Sequence, residues 1–190
     1  MKSEDIIKVE NLSRGKGFII RWSLTYLCNY SCDFCIQGDK EKHIEKSKSE
    51  SIETRRKICD NLIDFIETKL NKKYDYIELF LIGGEITILS DFLEIINKIV
   101  NCKFEGRIII KVTTNLSTNN EVLKKLVDIF SRKTKYIRDL QIMASYYKEF
   151  AEEQDFIEKV KILNQNKKFS KIIRQKMIYK RRKRIFKKHK

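Results

Sequence analysis

Stretches with a two-residue apolar period alternate along this chain with stretches of helical period, four times over and with the start of a fifth. The first extended stretch covers residues 18–25: Phe18, Ile20, Trp22 and Leu24 alternate with Arg21, Ser23 and Thr25, as in a half-buried strand. Further strands are expected at 76–82, 107–113, 137–145 and 172–179. Between them lie helical stripes. Ile52, Cys59, Leu62, Ile63, Ile66 and Leu70 form the first, with Ser47 and Glu50 at the spacing of a capping box before it. Leu93, Ile96 and Val100 follow a Ser90-Asp91 cap. Leu123, Leu126, Val127 and Phe130 form the third stripe, and residues 150–163 the fourth. Strand and helix in regular alternation require parallel strands joined by crossover helices, an α/β fold. In such folds ligands bind at the carboxyl ends of the strands. Cys28, Cys32 and Cys35, then Gly83-Gly84-Glu85, Thr113-Thr114-Asn115 and Ser145 all fall at those ends.

Charge separates body from tail. The chain has 190 residues, 41 basic and 26 acidic, for a net +15. Residues 171–190 hold eleven of the bases and no acid, so the remainder stands at only +4. We read residues 1–16 as a lead-in, 17–179 as one domain and 180–190 as a basic, disordered tail. A tail of this kind can bind phosphate backbones without reading sequence. The near-neutral body does not point to a nucleic-acid partner. No apolar run reaches the ~18 residues that span a bilayer, and the first residues lack a signal-peptide pattern. A soluble cytoplasmic protein without a membrane partner is expected.

Three thiols in eight residues, Cys28-x3-Cys32-x2-Cys35, can wrap a soft metal centre. A structural zinc site wants a fourth ligand. His43 and His189 are expected in solvated segments, and Cys59 and Cys102 in the core, so none of them supplies it. A [4Fe–4S] cluster with one open iron suits the set; ordinary electron-transfer clusters use four cysteines.

With Phe34 just before the third cysteine and Gly-Gly-Glu closing the second strand, the sequence resembles the radical S-adenosylmethionine (radical SAM) superfamily over residues 17–163. The resemblance implies an incomplete parallel (β/α) barrel of four to five βα units. It implies that Cys28, Cys32 and Cys35 bind three irons of the cluster, and that S-adenosylmethionine chelates the fourth. Phe34 would lie near the adenine. Gly83, Gly84 and Glu85 would hold the methionine amino group. Thr113, Asn115 and Ser145 would reach the carboxylate and ribose. The implied chemistry is reductive cleavage of S-adenosylmethionine to a 5′-deoxyadenosyl radical that abstracts hydrogen, driven by a donor such as flavodoxin or ferredoxin.

Residues 144–150 and 156–163 resemble peptide-modifying members, which makes a peptide or protein side chain the expected substrate. The family core has six βα units, so the sequence reads as a truncated version of it. The rival readings are a non-catalytic iron–sulfur or metal-binding protein, and an RNA-binding or RNA-modifying protein acting through the tail.

Overall fold

The computed structural model describes residues 15–33, 35, 51–132 and 134–164, and the backbone alone of 171–176. The first fourteen residues, Phe34, His43, the Ser47–Glu50 pair and the basic tail lie outside the described residues. Five strands form one parallel sheet in chain order: β1 (Gly17–Thr25), β2 (Tyr76–Gly83), β3 (Arg107–Thr114), β4 (Arg138–Tyr146) and β5 (Lys171–Lys176). Between them run four helices: α1 (Ile52–Phe65), α2 (Phe92–Asn101), α3 (Asn120–Ser131) and α4 (Glu153–Asn164). A parallel sheet wound in sequence order, each strand beside its predecessor, is an incomplete (β/α) barrel of the kind anticipated.

Sequential parallel neighbours put every crossover helix on the same face when the crossovers share one hand. The burial pattern agrees. Ile77, Leu79 and Leu81 of β2, Ile108, Ile110 and Val112 of β3, and Leu140, Ile142 and Ala144 of β4 are all buried. Against them α2 buries Phe92, Ile95, Ile96, Ile99 and Val100, and α3 buries Leu123, Leu126, Ile129 and Phe130. Each such side chain contributes about 1.5–3 kcal/mol through area removed from water. The helical period thus holds with a rotated face: Leu93 and Val127 are half-buried at its margin, while Ile95, Ile99 and Ile129 take the centre.

The opposite face is mixed. Arg21, Phe80, Lys111 and Gln141 lie in one register row across four strands. Arg21 and Lys111 both sit over the Phe80 ring, at 5.2 and 4.6 Å from its centroid, and Lys111 pairs with Glu78 at 2.8 Å.

Two local expectations are corrected. Helix α1 is capped by Ser51, whose side chain accepts the Thr54 N–H at 3.0 Å, so the capping residue is not Ser47. Thr25, expected on the polar face, is 1% exposed, and its neighbour Leu24 is buried too. The register between β1 and β2 shifts after Ser23, one extra residue entering before Thr25. That irregularity breaks the two-residue alternation and turns Thr25 inward.

Helix α1 opens into a π turn at Ile66–Leu70, which brings both of those residues into the core. Cys59 and Cys102 are buried core residues as anticipated. No helix among the described residues is long and apolar enough to cross a membrane.

Candidate functional site

The cysteine loop leaves β1 at its carboxyl end and lies directly against the end of β2. Gly84 donates its N–H to the Thr25 carbonyl (2.7 Å), Glu85 donates to the Leu27 carbonyl (2.8 Å), and the Thr25 hydroxyl accepts the Leu27 N–H (2.9 Å). This contact explains the two glycines. A Cβ on Gly84 would run into the Leu27 carbonyl, and one on Gly83 into the Thr25 carbonyl; Gly83 also has φ +148, outside the usual range of L residues. The close approach they allow is to the chain's own Thr25–Leu27 backbone.

Glu85 is 1% exposed and is the polar centre of this end of the sheet. Its Oε1 accepts from the Thr87 N–H (3.1 Å), the Thr87 hydroxyl (2.5 Å) and the Thr114 hydroxyl (2.7 Å), and its Oε2 accepts the Asn115 N–H (2.5 Å). The carboxylate thus accepts three hydrogen bonds on Oε1 and one on Oε2, which leaves Oε2 the less occupied oxygen. Burial pushes the Glu85 carboxyl up, against the pull of its four hydrogen bonds.

At the third strand end the two threonines face opposite ways. Thr114, not Thr113, is turned to Glu85; Thr113 is half-buried on the opposite face, in register with Met143. Asn115 donates its Nδ2 to Asn29 Oδ1 (3.2 Å) and accepts the Ser117 N–H (2.9 Å), so its side chain serves the loop itself. At the fourth strand end Ser145 is half-buried.

The three cysteines are half-buried, with a turn closed by the Cys35 N–H on the Cys32 carbonyl (3.1 Å). They lie close enough to sense each other. Cys32 is pushed up to about 11, first by burial and then by Cys28 and Cys35. Tyr30, between the first two cysteines, is pushed up to about 12, first by burial and then by the charge of Glu85. Among the described residues no three Cys, His, Asp or Glu side chains are drawn to one metal-holding point. The donor chemistry fits an iron–sulfur cluster nonetheless: three soft thiols on one loop, with the buried Glu85 carboxylate able to accept an ammonium group nearby.

Four members of this site were not singled out from the sequence: Asn29, Tyr30, Thr87 and Ser117. Only Asn29 and Tyr30 carried a local signal, as the residues enclosed by Cys28 and Cys32.

Neither a curated protein nor a solved structure matches the chain. A family model does, that of the radical SAM superfamily, over residues 22–187. That match runs from within β1 through the cysteine loop, Gly-Gly-Glu and all the later strands, and with it the chain belongs to the radical SAM superfamily.

Proposed function

We propose that this protein is a radical SAM enzyme that abstracts hydrogen from a peptide or protein side chain. The observation that carries the reading is the three-thiol loop seated beside a buried carboxylate at the carboxyl ends of a parallel sheet.

In this reading Cys28, Cys32 and Cys35 hold three irons of a [4Fe–4S] cluster. Bound there, the cluster and S-adenosylmethionine supply reductive carbon–sulfur cleavage, yielding methionine and a 5′-deoxyadenosyl radical. The work of the chain is to bind, orient and exclude water. Glu85 Oε2 accepts a hydrogen from the methionine ammonium, while the donors on Oε1 keep the carboxylate from turning away. Ser145 lies at the end of β4, where it serves the carboxylate or ribose; Thr113 and Asn115 are weaker contributors, since their placement suits the sheet and the loop better. Phe34 is assigned to the adenine on resemblance alone. A one-electron donor such as flavodoxin or ferredoxin completes the system, in a cytoplasm poor in oxygen. The peptide substrate rests on the resemblance of residues 144–150 and 156–163 to peptide-modifying members.

Anaerobic reconstitution with iron and sulfide, followed by reduction and assay for 5′-deoxyadenosine, tests the reading, with Cys28→Ala as the control. Cluster uptake with cleavage that Cys28→Ala abolishes supports it. A folded chain that takes up no iron refutes it. Deuterium transfer into 5′-deoxyadenosine from side-chain-deuterated peptides tests the substrate class.

A further inference from the structure

The two residues that follow the first cysteine are tied to two different strand ends. Asn29 Oδ1 accepts from Asn115 Nδ2 (3.2 Å) and from the Ser117 hydroxyl (3.0 Å), both on the segment leaving β3. Tyr30 turns to the segment leaving β4: its ring stacks on Phe150, with centroids 4.9 Å apart and planes at 22°, and meets the edge of Tyr147 at 6.3 Å. The β4 segment is itself folded back, the Phe150 and Ala151 N–H groups both donating to the Tyr147 carbonyl at 3.0 Å. Together with the Gly84 and Glu85 N–H bonds to the root of the loop, the cysteine segment is held by the ends of β2, β3 and β4. None of these contacts involves a thiol.

We propose that Asn29 and Tyr30 are positioning residues, which fix the Cys28–Cys32 segment over the strand ends before a cluster is present and so set the arrangement in which the thiols meet it. This rests on the cluster reading above. A free loop must lose its conformational freedom when the metal centre forms; a loop already tied at two adjacent residues has lost it in advance, and its sulfurs are supported from behind. The two ties also have different chemistry. One is a pair of hydrogen bonds to a single acceptor oxygen, and the other is ring packing that does not need the phenol hydroxyl.

Those differences define the test. On the apo chain, hydrogen exchange of the 28–33 amides is compared for wild type, Asn29→Ala, Asn29→Asp, Tyr30→Ala and Tyr30→Phe. The same proteins are then followed through anaerobic cluster assembly by iron content and by the electron paramagnetic resonance signal of the reduced cluster. Losing two neutral hydrogen bonds in Asn29→Ala raises exchange roughly tenfold and slows cluster assembly, with the melting temperature of the apo chain little changed. Asn29→Asp keeps the acceptor oxygen and restores protection. Tyr30→Ala behaves like Asn29→Ala, and Tyr30→Phe like wild type. Ser117→Ala weakens the tie in wild type but adds nothing in the Asn29→Ala background, because the partner is already gone.

Unchanged exchange in Asn29→Ala and Tyr30→Ala overturns the proposal. So does raised exchange with wild-type assembly rate and signal. If wild type itself takes up no cluster, the radical reading falls and the assembly role with it, and exchange alone then decides whether the tie exists.

Discussion

Arg138 opens β4 at the end of the sheet opposite the cysteines, and its guanidinium lies over the Tyr136 ring, 5.0 Å from the centroid, while its N–H groups go to carbonyls. Nη2 donates to Cys102 O (2.7 Å) and Phe104 O (3.1 Å), Nη1 to Gly106 O (3.2 Å) and Ile137 O (2.9 Å), and Nε to Val100 O (3.3 Å). It thereby closes the C-terminal end of α2, where carbonyls lack partners within the helix and a cation is favoured. We predict that Arg138→Met destabilises the fold without touching the site. Four of the five bonds reach more than thirty residues along the chain. At roughly 1 kcal/mol net for each, they total about 4 kcal/mol.

Two effects reduce that figure. Burial holds the guanidinium below its ordinary pKa, the sign of a desolvation cost that methionine would not bear. A cleft of about 440 Å³ beside Arg138, lined also by Val100, Phe130 and Tyr136, gives water a place next to the lost guanidinium. Taking off about 1 kcal/mol leaves about 3 kcal/mol, which at 2–4 °C per kcal/mol lowers Tm by about 6–12 °C. Thermal melts followed by circular dichroism measure it. Arg138→Lys, with three donors on a point charge, falls between the two. A fall of less than about 2 °C in Arg138→Met refutes the reasoning.

Three further outcomes are expected. Arg55 and Asp91 form a buried bidentate pair at 2.7 and 2.9 Å, with side chains 8% and 1% exposed. Asp91→Ala takes both of these hydrogen bonds from a buried cation and costs about 3–5 kcal/mol in urea unfolding, whereas Arg55→Met with Asp91→Leu recovers most of it; equal losses in both would contradict this. Gly84→Ala forces the Leu27 carbonyl away, so iron per folded chain after reconstitution falls severalfold, and full uptake would show that the loop has slack. In apo protein at pH 8, Ellman's reagent modifies the half-buried Cys28, Cys32 and Cys35 before the two core thiols. Cys59 and Cys102, buried and pushed up to about 11 and about 12, stay protected; rapid labelling of all five thiols would refute the burial order.

What the sequence could tell follows the range of each signal. Strands β2 and β3 were legible because their apolar residues repeat within a single element, and the cysteine and Gly-Gly-Glu groups because each motif is contiguous. The reading failed where contact replaces pattern. Thr25 looked outward by alternation until one extra residue in β1 reversed it. Thr113 and Thr114 are indistinguishable in composition, and only the pleat decides that Thr114 reaches Glu85. Asn29 and Ser117 are 88 residues apart, and no local property of either announces the other. Arg138 carries no signal of its role in the sequence, since four of the five carbonyls it gathers belong to a different crossover.

The order β1-β2-β3-β4-β5 also bears on how the chain reaches its native state. Each strand docks beside the one made just before it, so every pairing closes only one crossover and the loop-closure entropy stays small at each step. Emerging from the ribosome N-terminus first, the chain can build the sheet in the order of synthesis. The cysteine segment is made before its supports, which arrive one after another with the ends of β2, β3 and β4. The loop that carries the thiols is therefore held first by the end of β2 alone, and the site matures only when the fourth strand docks.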